Sequence, residues 1–189
     1  MAVAERLAKM TGENRLMFAP VLEALLIRGL ADRMTDTFRA RLLALGINLE
    51  KLLPGYPYAL WETAVLEAVT LLPELARDAA LEELGRRMVT ATIDASPVGK
   101  LLMPVLRLLG TTRALKRTLS HSASENFNKV TFGAETARSI EVQMSFVGQI
   151  PEFALGTLMG LVPHLGAKNA RARIQSYQAP LATYFVEWD

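Results

Sequence analysis

The side chains of this sequence that could do chemistry are few, and the first of them is His121 in the segment "LSHSAS". An imidazole there could serve as an axial haem ligand or as a general base, and catalysis would need a pocket lined by a titratable group such as His121 or Glu125. The one other histidine, His164, follows Pro163. Each histidine occupies the predicted end of a helix, where a cation is favourable, so a capping or surface role is the more common outcome.

Other reactive groups are excluded by composition or lack the spacing that a reaction needs. The chain holds no cysteine and two histidines, which excludes disulfides, thiol catalysis, iron–sulfur clusters, thiolate zinc and a histidine-rich metal site. It has neither a Gly-x-Ser-x-Gly elbow nor a phosphate-binding glycine loop. The carboxylates of Asp78, Glu82 and Glu83 fit the solvated face of a helix. The sequence therefore predicts no catalytic residue, and an enzyme is the least supported class.

A basic group lies on one predicted helical face at Arg113, Lys116 and Arg117. Such a group is usually a solvated face, but it could also anchor the phosphate or carboxylate headgroup of a ligand, or a membrane surface. The formal net charge of +2 is small and no aromatic side chain interleaves with these cations. We therefore expect no nucleic-acid partner.

The segment "EFALGTLMGLVPHLG" at residues 152–166 predicts an apolar helix in which two glycines lie one turn apart. The glycines allow either close packing of this helix on a sheet or room for a ligand between the two. In the second case, apolar and flexible side chains from several elements would line a hydrophobic pocket. The predicted pocket residues are Met88, Met103, Met144, Phe146, Leu155, Gly156, Met159 and Gly160.

The elements that must position these side chains are helical in the first two thirds of the chain. Thr35 is a suitable N-cap, Gly46 and Pro73 are suitable stops, and Ser96-Pro97 is a break. A loop or turn is predicted over residues 52–58. Apolar spacing predicts helices over residues 20–33, 35–46, 59–72, 76–93, 99–110 and 111–122.

The last third of the chain changes its period. Residues 139–146 alternate between apolar and polar side chains, which is typical of a half-buried antiparallel strand, and residues 128–132 are its predicted partner. Residues 170–177 and 181–188 predict a second hairpin after the apolar helix. The predicted fold class is therefore α+β, with N-terminal helices packed on a C-terminal four-stranded antiparallel sheet of β-β-α-β-β order.

Residues 1–189 are expected to form one domain, with a helical part over residues 1–126 and a sheet-bearing part over residues 127–189. No uninterrupted apolar stretch reaches the roughly 18 to 20 residues that a membrane span needs. The first residues lack a secretory apolar core, which favours a cytoplasmic protein.

Four segments carry a resemblance to a known family: "LIRGL", "LLPGYPYALW", "GTTRALKR" and "LGTLMGLVPHLGAKNARARIQSYQAPLATYFVEW". They resemble an uncharacterised domain family that is expanded in myxobacterial genomes, and the resemblance covers nearly the whole chain. The sequence departs from it at "SHSASENFNKVTF", where members look more like an arginine–threonine–glycine–asparagine run. A role tied to that run therefore does not transfer to this chain.

The β-β-α-β-β order is also similar to a superfamily of 4-vinyl-reductase-type ligand-binding domains, haem–nitric oxide domains and small TRAPP transport subunits. This resemblance implies a hydrophobic cavity between helices and sheet. The chain lacks the Tyr-x-Ser-x-Arg motif that holds haem propionates, and it lacks the cysteines of the zinc-bearing and acyl-linked members. The expectation that remains is a pocket that holds no haem, zinc or other cofactor.

Two functions are compatible with these patterns. The first hypothesis is a non-catalytic binding or sensor module that holds a lipid-like or aromatic small molecule in the hydrophobic pocket. The alternative is an interaction or scaffold domain whose pocket is filled by side chains, and which acts through a protein partner or a homodimer.

Overall fold

In the computed structural model, which describes residues 15–125, 129–145 and 147–189, the chain begins with a short strand and a run of helices. Strand β1 (Leu16–Phe18) is followed by helix α1 (Ala19–Leu22), which continues as a π-helical segment (Glu23–Gly29). Helix α2 (Asp36–Ala44) begins at the predicted cap, because the Thr35 side chain accepts a hydrogen bond from the Phe38 amide at 3.2 Å.

The predicted loop over residues 52–58 contains a second short strand, which the sequence analysis missed. Strand β2 (Gly55–Pro57) pairs antiparallel with β1. This two-stranded sheet tolerates Pro57, because proline lacks only a backbone N–H, and at this position that group would face away from β1. Helix α3 (Tyr58–Ala68) follows and ends in a 3₁₀ turn (Val69–Leu71), before Pro73 as predicted.

Three further helices complete the helical part. They are α4 (Arg77–Ala95), α5 (Pro97–Arg107) and α6 (Thr111–Glu125). The break between α4 and α5 lies at Ser96, whose side chain accepts a hydrogen bond from the Gly99 amide at 3.0 Å and so caps α5. Gly110 ends the turn between α5 and α6 with φ of +78°, a conformation that glycine adopts without strain.

The four-stranded antiparallel sheet is confirmed. It consists of β3 (Val130–Glu135), β4 (Ser139–Ser145), β5 (Arg171–Gln178) and β6 (Leu181–Glu187), with helix α7 (Pro151–His164) between the two hairpins. The strand order is β3-β4-β6-β5, so the second hairpin joins the first through β6. The predicted alternation also holds, because Ile140 and Val142 of β4 are fully buried on one face.

Two apolar clusters form the interior. The first core lies among α1, α2, α3 and the first half of α4, and its largest buried side chain is Trp61. The second core lies among α5, α6, α7 and the sheet, and it includes Leu115 and Tyr184. Helices α4 and α7 contribute to both clusters, since Phe153 of α7 meets Trp61 edge to face at 5.8 Å between ring centroids while Leu158 belongs to the second core. These two helices therefore connect the helical part of the fold with the sheet.

Candidate functional site

The glycines of α7 lie against α4, and this corrects the expectation that they meet the sheet. A Cβ at Gly156 would overlap the carbonyl oxygen of Glu82, and a Cβ at Gly85 would overlap the carbonyl oxygen of Phe153. A Cβ at Gly160 would lie 3.0 Å from the carbonyl oxygen of Arg86. The space over each glycine is therefore taken by helix backbone, because small residues on both helices let the two axes approach closely.

The structure brings together only some of the predicted pocket residues. Met103 and Leu155 are buried in the second core, and Met144 packs against it. Met88 packs instead against the first core, and Met159 is half-buried on α7. Phe146 lies outside the described residues. The predicted pocket is thus divided between two packed regions.

Two concavities in the described part of the chain lie elsewhere. One has a volume of about 340 Å³ and lies at the edge of the sheet, beside polar and charged side chains such as Arg138, Arg171 and Glu187. The other, of about 290 Å³, lies beside Arg41 and Glu67, near the C-terminal ends of α2 and α3. Neither is bordered by a residue of the predicted pocket.

A polar cluster at the start of α7 was missed in the sequence analysis. The Glu62 carboxylate of α3 accepts a hydrogen bond from the Gln149 amide, and the Tyr177 hydroxyl of β5 donates to the Gly148 carbonyl at 2.6 Å. The buried Tyr184 hydroxyl of β6 donates to the Pro151 carbonyl at 3.0 Å. These contacts hold the segment before α7 between α3 and the sheet. No local sequence motif predicts these contacts, because their partners come from separate parts of the sequence.

Burial controls the ionisation of this cluster. It raises the pKa of Tyr58 to about 12, with the Glu62 charge raising it further and the nearby Arg15 guanidinium opposing the change. Burial also raises the pKa of Tyr184, and the Glu152 charge adds to that effect. Both phenols are therefore neutral at ordinary pH, and the Tyr184 hydroxyl acts as a hydrogen-bond donor. They have no tendency to serve as a general base there.

The predicted basic group is divided by the structure. Lys116 forms an ion pair with Glu135 of β3, and its ammonium lies 5.7 Å from the centroid of the Phe132 ring. Arg113 and Arg117 are exposed one turn apart on α6. The pair that remains available to an outside anion is therefore Arg113 and Arg117.

The outer face of α5 is the largest apolar feature that the sequence analysis missed. Leu101 is 76% exposed, Val105 is 56% exposed and Leu108, just after the helix, is 87% exposed. Leu102 and Leu109 extend this surface at 45% and 40% exposure. The signal was present in "LLMPVLRLL", which has apolar residues on more than one side of the helix. An ordinary amphipathic helix has a single apolar stripe.

Both histidines lie at the predicted kind of position. The Nδ1 atom of His164 is 2.7 Å from the Gly160 carbonyl oxygen near the end of α7. His121 is exposed on α6. No group of three or more histidine or acidic side chains is placed to hold a metal ion within residues 15–125, 129–145 and 147–189.

The fold is that of the haem–nitric oxide (H-NOX) domains. A variant of the Fe(II) unliganded H-NOX protein from K. algicida is similar with a TM-score of 0.69 at 10% identity, covering 92% of this chain and 97% of that one. An oxygen-binding H-NOX domain related to soluble guanylate cyclases gives 0.68 at 8% identity, with 92% and 95% covered. An H-NOX protein from S. oneidensis in the Fe(II)NO ligation state gives 0.67 at 11% identity, with 92% and 99% covered.

The family is shown directly by sequence. Residues 15–189 match the model of the family described as "Protein of unknown function (DUF2378)", and the chain belongs to that family. No curated protein matches the sequence. The expected similarity to 4-vinyl-reductase domains and TRAPP subunits stays a prediction.

The residues of this chain do not fit the haem that such a fold implies. One His164 ring nitrogen already contacts the carbonyl of its own helix, and His121 is on the solvent side of α6. The sheet face that meets the helices carries fully buried side chains such as Val142 and Tyr184. A porphyrin needs an axial ligand, and within the described residues neither histidine is placed in the second core to supply one. Within the described residues, no helix has the length and apolar character needed to cross a membrane.

Proposed function

We propose that this protein is a non-catalytic interaction module that docks onto another surface through the outer face of α5. The observation that carries this proposal is the exposure of Leu101, Val105 and Leu108, three large apolar side chains on one side of a short helix. Isolated exposed leucines are ordinary, but a contiguous apolar patch usually marks a binding surface.

The arrangement of α5 supports this role. Its inner face is already satisfied, because Met103 and Leu106 are buried in the second core. The Ser96 cap holds the first turn, and the Nε atom of Arg107 donates to the His164 carbonyl at 2.8 Å at the other end. The helix is therefore fixed at both ends while its outer leucines stay in solvent, as a preformed docking surface requires.

The packed interior is consistent with the same proposal. The backbones of α4 and α7 meet at Gly85 and Gly156, and buried side chains of α5, α6, α7 and the sheet pack together in the second core. An interaction module needs no internal cavity, because its binding surface is on the outside.

The absence of native cysteine allows a direct test. Val105→Cys on α5 and Leu43→Cys on α2, which is 59% exposed, each accept one environment-sensitive fluorophore. In an extract of cells that express the protein, we expect a blue shift and stronger emission from the label at position 105 only. Equal spectra at both positions, before and after addition of the extract, would overturn the proposal.

A second candidate is non-covalent binding of an apolar small molecule in the second core. It is favoured by the meeting of Met103, Met144 and Leu155 there, and by likeness to domains whose descriptions include oxygen and NO ligation. Met side chains adapt readily to irregular ligands.

Native mass spectrometry and solvent extraction of the purified protein test this candidate. A retained apolar molecule, together with a higher midpoint of thermal unfolding when it is added back, would support it. Met144→Trp should then lower retention, because the larger side chain takes ligand space, while Met88→Trp beside the first core serves as the comparison. A protein free of bound molecules and unresponsive to an apolar ligand panel would remove this candidate.

A further inference from the structure

All the lysine, arginine, aspartate and glutamate side chains of the α5–α6 segment, residues 95–124, are of one sign, positive. Residues 95–124 contain five lysines and arginines and no aspartate or glutamate. The rest of the chain has sixteen basic and nineteen acidic residues, so the net positive charge of the protein resides in this segment. The exposed apolar side chains of α5 therefore lie within this basic stretch of the sequence.

The apolar and basic side chains belong to two consecutive helices that pack on the same core. Helix α6 buries Ala114, Leu115 and Leu119 in the same second core that receives the inner face of α5. Exposed residues of both helices consequently point away from that core. Arg113 and Arg117 of α6 thus lie on the outer side, as the leucines of α5 do, and neither forms an ion pair within the described residues.

Resting on the proposed interaction function, we infer that the partner of this face is an anionic phospholipid surface. Each exposed arginine raises partition onto such a surface by a factor of about five. The exposed side chains of Leu101 and Leu108 would enter the boundary between headgroups and acyl chains, where apolar helix faces lie. Together the two contributions give reversible attachment of a folded domain without a spanning helix.

The same observations disfavour other occupants. A second copy of the chain, related by a two-fold axis, would place one basic segment against another, which is repulsive. Protein interfaces are enriched in aromatic residues and poor in leucine hot spots, whereas residues 97–125 contain several leucines and no aromatic residue. A lipid surface needs only apolar insertion and positive charge.

Co-sedimentation of the purified chain with vesicles tests the inference. We expect binding to vesicles of phosphatidylcholine and phosphatidylglycerol in equal parts, weak binding to phosphatidylcholine alone, and release as salt is raised. Substituting Arg113→Gln together with Arg117→Gln should lower the partition coefficient about twenty-five-fold. The Arg39→Gln and Arg138→Gln pair removes the same charge from exposed positions elsewhere and should change it less than about twofold.

The apolar contribution has its own pair of variants. Leu101→Ser with Leu108→Ser should lower partition about tenfold or more, because less apolar surface leaves water. Leu43→Ser with Leu53→Ser alters leucines of 59% and 54% exposure on another part of the surface and should leave partition unchanged. Circular dichroism confirms that each variant is folded.

Three outcomes separate this inference from the proposed function. Anionic-lipid binding that both α5–α6 variants weaken supports the inference. If the label at position 105 is covered in extract but vesicles do not bind, or if light scattering shows a dimer that Leu101→Ser disperses, the lipid inference is overturned and the interaction function stands. If neither extract nor vesicles change the label at position 105, both fail.

Discussion

Gly156 of α7 lies directly against the carbonyl oxygen of Glu82 of α4, with no room for a Cβ between them. The contact is reciprocal, since Gly85 of α4 lies equally close to the carbonyl oxygen of Phe153. Two helices that meet through their backbones leave no space for a ligand at that crossing. The pair of glycines that indicated a pocket in the sequence is thus part of the contact that holds the two cores together.

This contact predicts an ordered series of glycine substitutions. Gly156→Ala should lower the free energy of unfolding by about 3 kcal/mol, because the new methyl group overlaps helix backbone that cannot move aside. Gly160→Ala should cost only about 1 kcal/mol or less, since its Cβ would lie 3.0 Å from the nearest atom and alanine favours the helix. Urea denaturation measures both. Equal stability of the two variants would contradict the α4–α7 contact.

The sequence alone was sufficient to predict those helices and strands that are marked by a local pattern of residue types. The alternation over residues 139–146 predicted β4, and Thr35 and Pro73 predicted the ends of helices. The joining of the two hairpins through β6 could not be predicted, because strand order depends on contacts between segments that are distant in sequence. For the same reason, the sequence around Gly156 could not predict that this glycine packs against α4.

The site was less predictable than the fold. Methionines at apolar positions fit both a core and a pocket, so Met88 and Met103 could not be assigned to different cores from pattern alone. The outer leucines of α5 were predictable from their arrangement around the helix. The polar contacts of Glu62 and Tyr177 were not, because each partner is a backbone group of the loop before α7.

Alkaline pH should destabilise the protein through Tyr58. Burial raises its pKa from 10.0 to about 12 in the folded state, so folding favours the protonated phenol. The resulting stability is fully present below about pH 10 and is lost as pH rises through about 12, up to about 3 kcal/mol in total. In Tyr58→Phe, the free energy of unfolding should fall less over this interval. Urea denaturation at several pH values measures the difference.

A matched variant controls this experiment. Burial also raises the pKa of Tyr177, but this side chain is 41% exposed, so Tyr177→Phe should preserve more of the alkaline dependence than Tyr58→Phe does. If Tyr58→Phe and the parent lose stability in parallel between about pH 10 and 12, the buried phenol is not the group responsible.

The Glu62 carboxylate should stabilise the start of α7 as a hydrogen-bond acceptor. Glu62→Ala removes the partner of the Gln149 amide and should lower the free energy of unfolding by about 1 kcal/mol. Glu62→Gln keeps an acceptor oxygen at the same position and should restore at least half of that loss. Urea denaturation gives the totals, and hydrogen exchange at Gln149 locates the effect. If Glu62→Ala and Glu62→Gln lower the free energy of unfolding equally, the negative charge of Glu62, and not its acceptor oxygen, is the source of the stability.

The Ser96 cap should determine how firmly α5 presents its leucines. Ser96→Ala removes the side-chain acceptor for the Gly99 amide, which should cost about 1 kcal/mol of local helix stability. Because α5 lies at the edge of the second core, this cost should appear as local opening, with exchange of the α5 amides about fivefold faster. Ser120→Ala, at an exposed position of α6, should leave that exchange unchanged. Unaltered exchange in Ser96→Ala would mean that packing of Met103 and Leu106 alone holds the helix, so that the leucine face would persist without its cap.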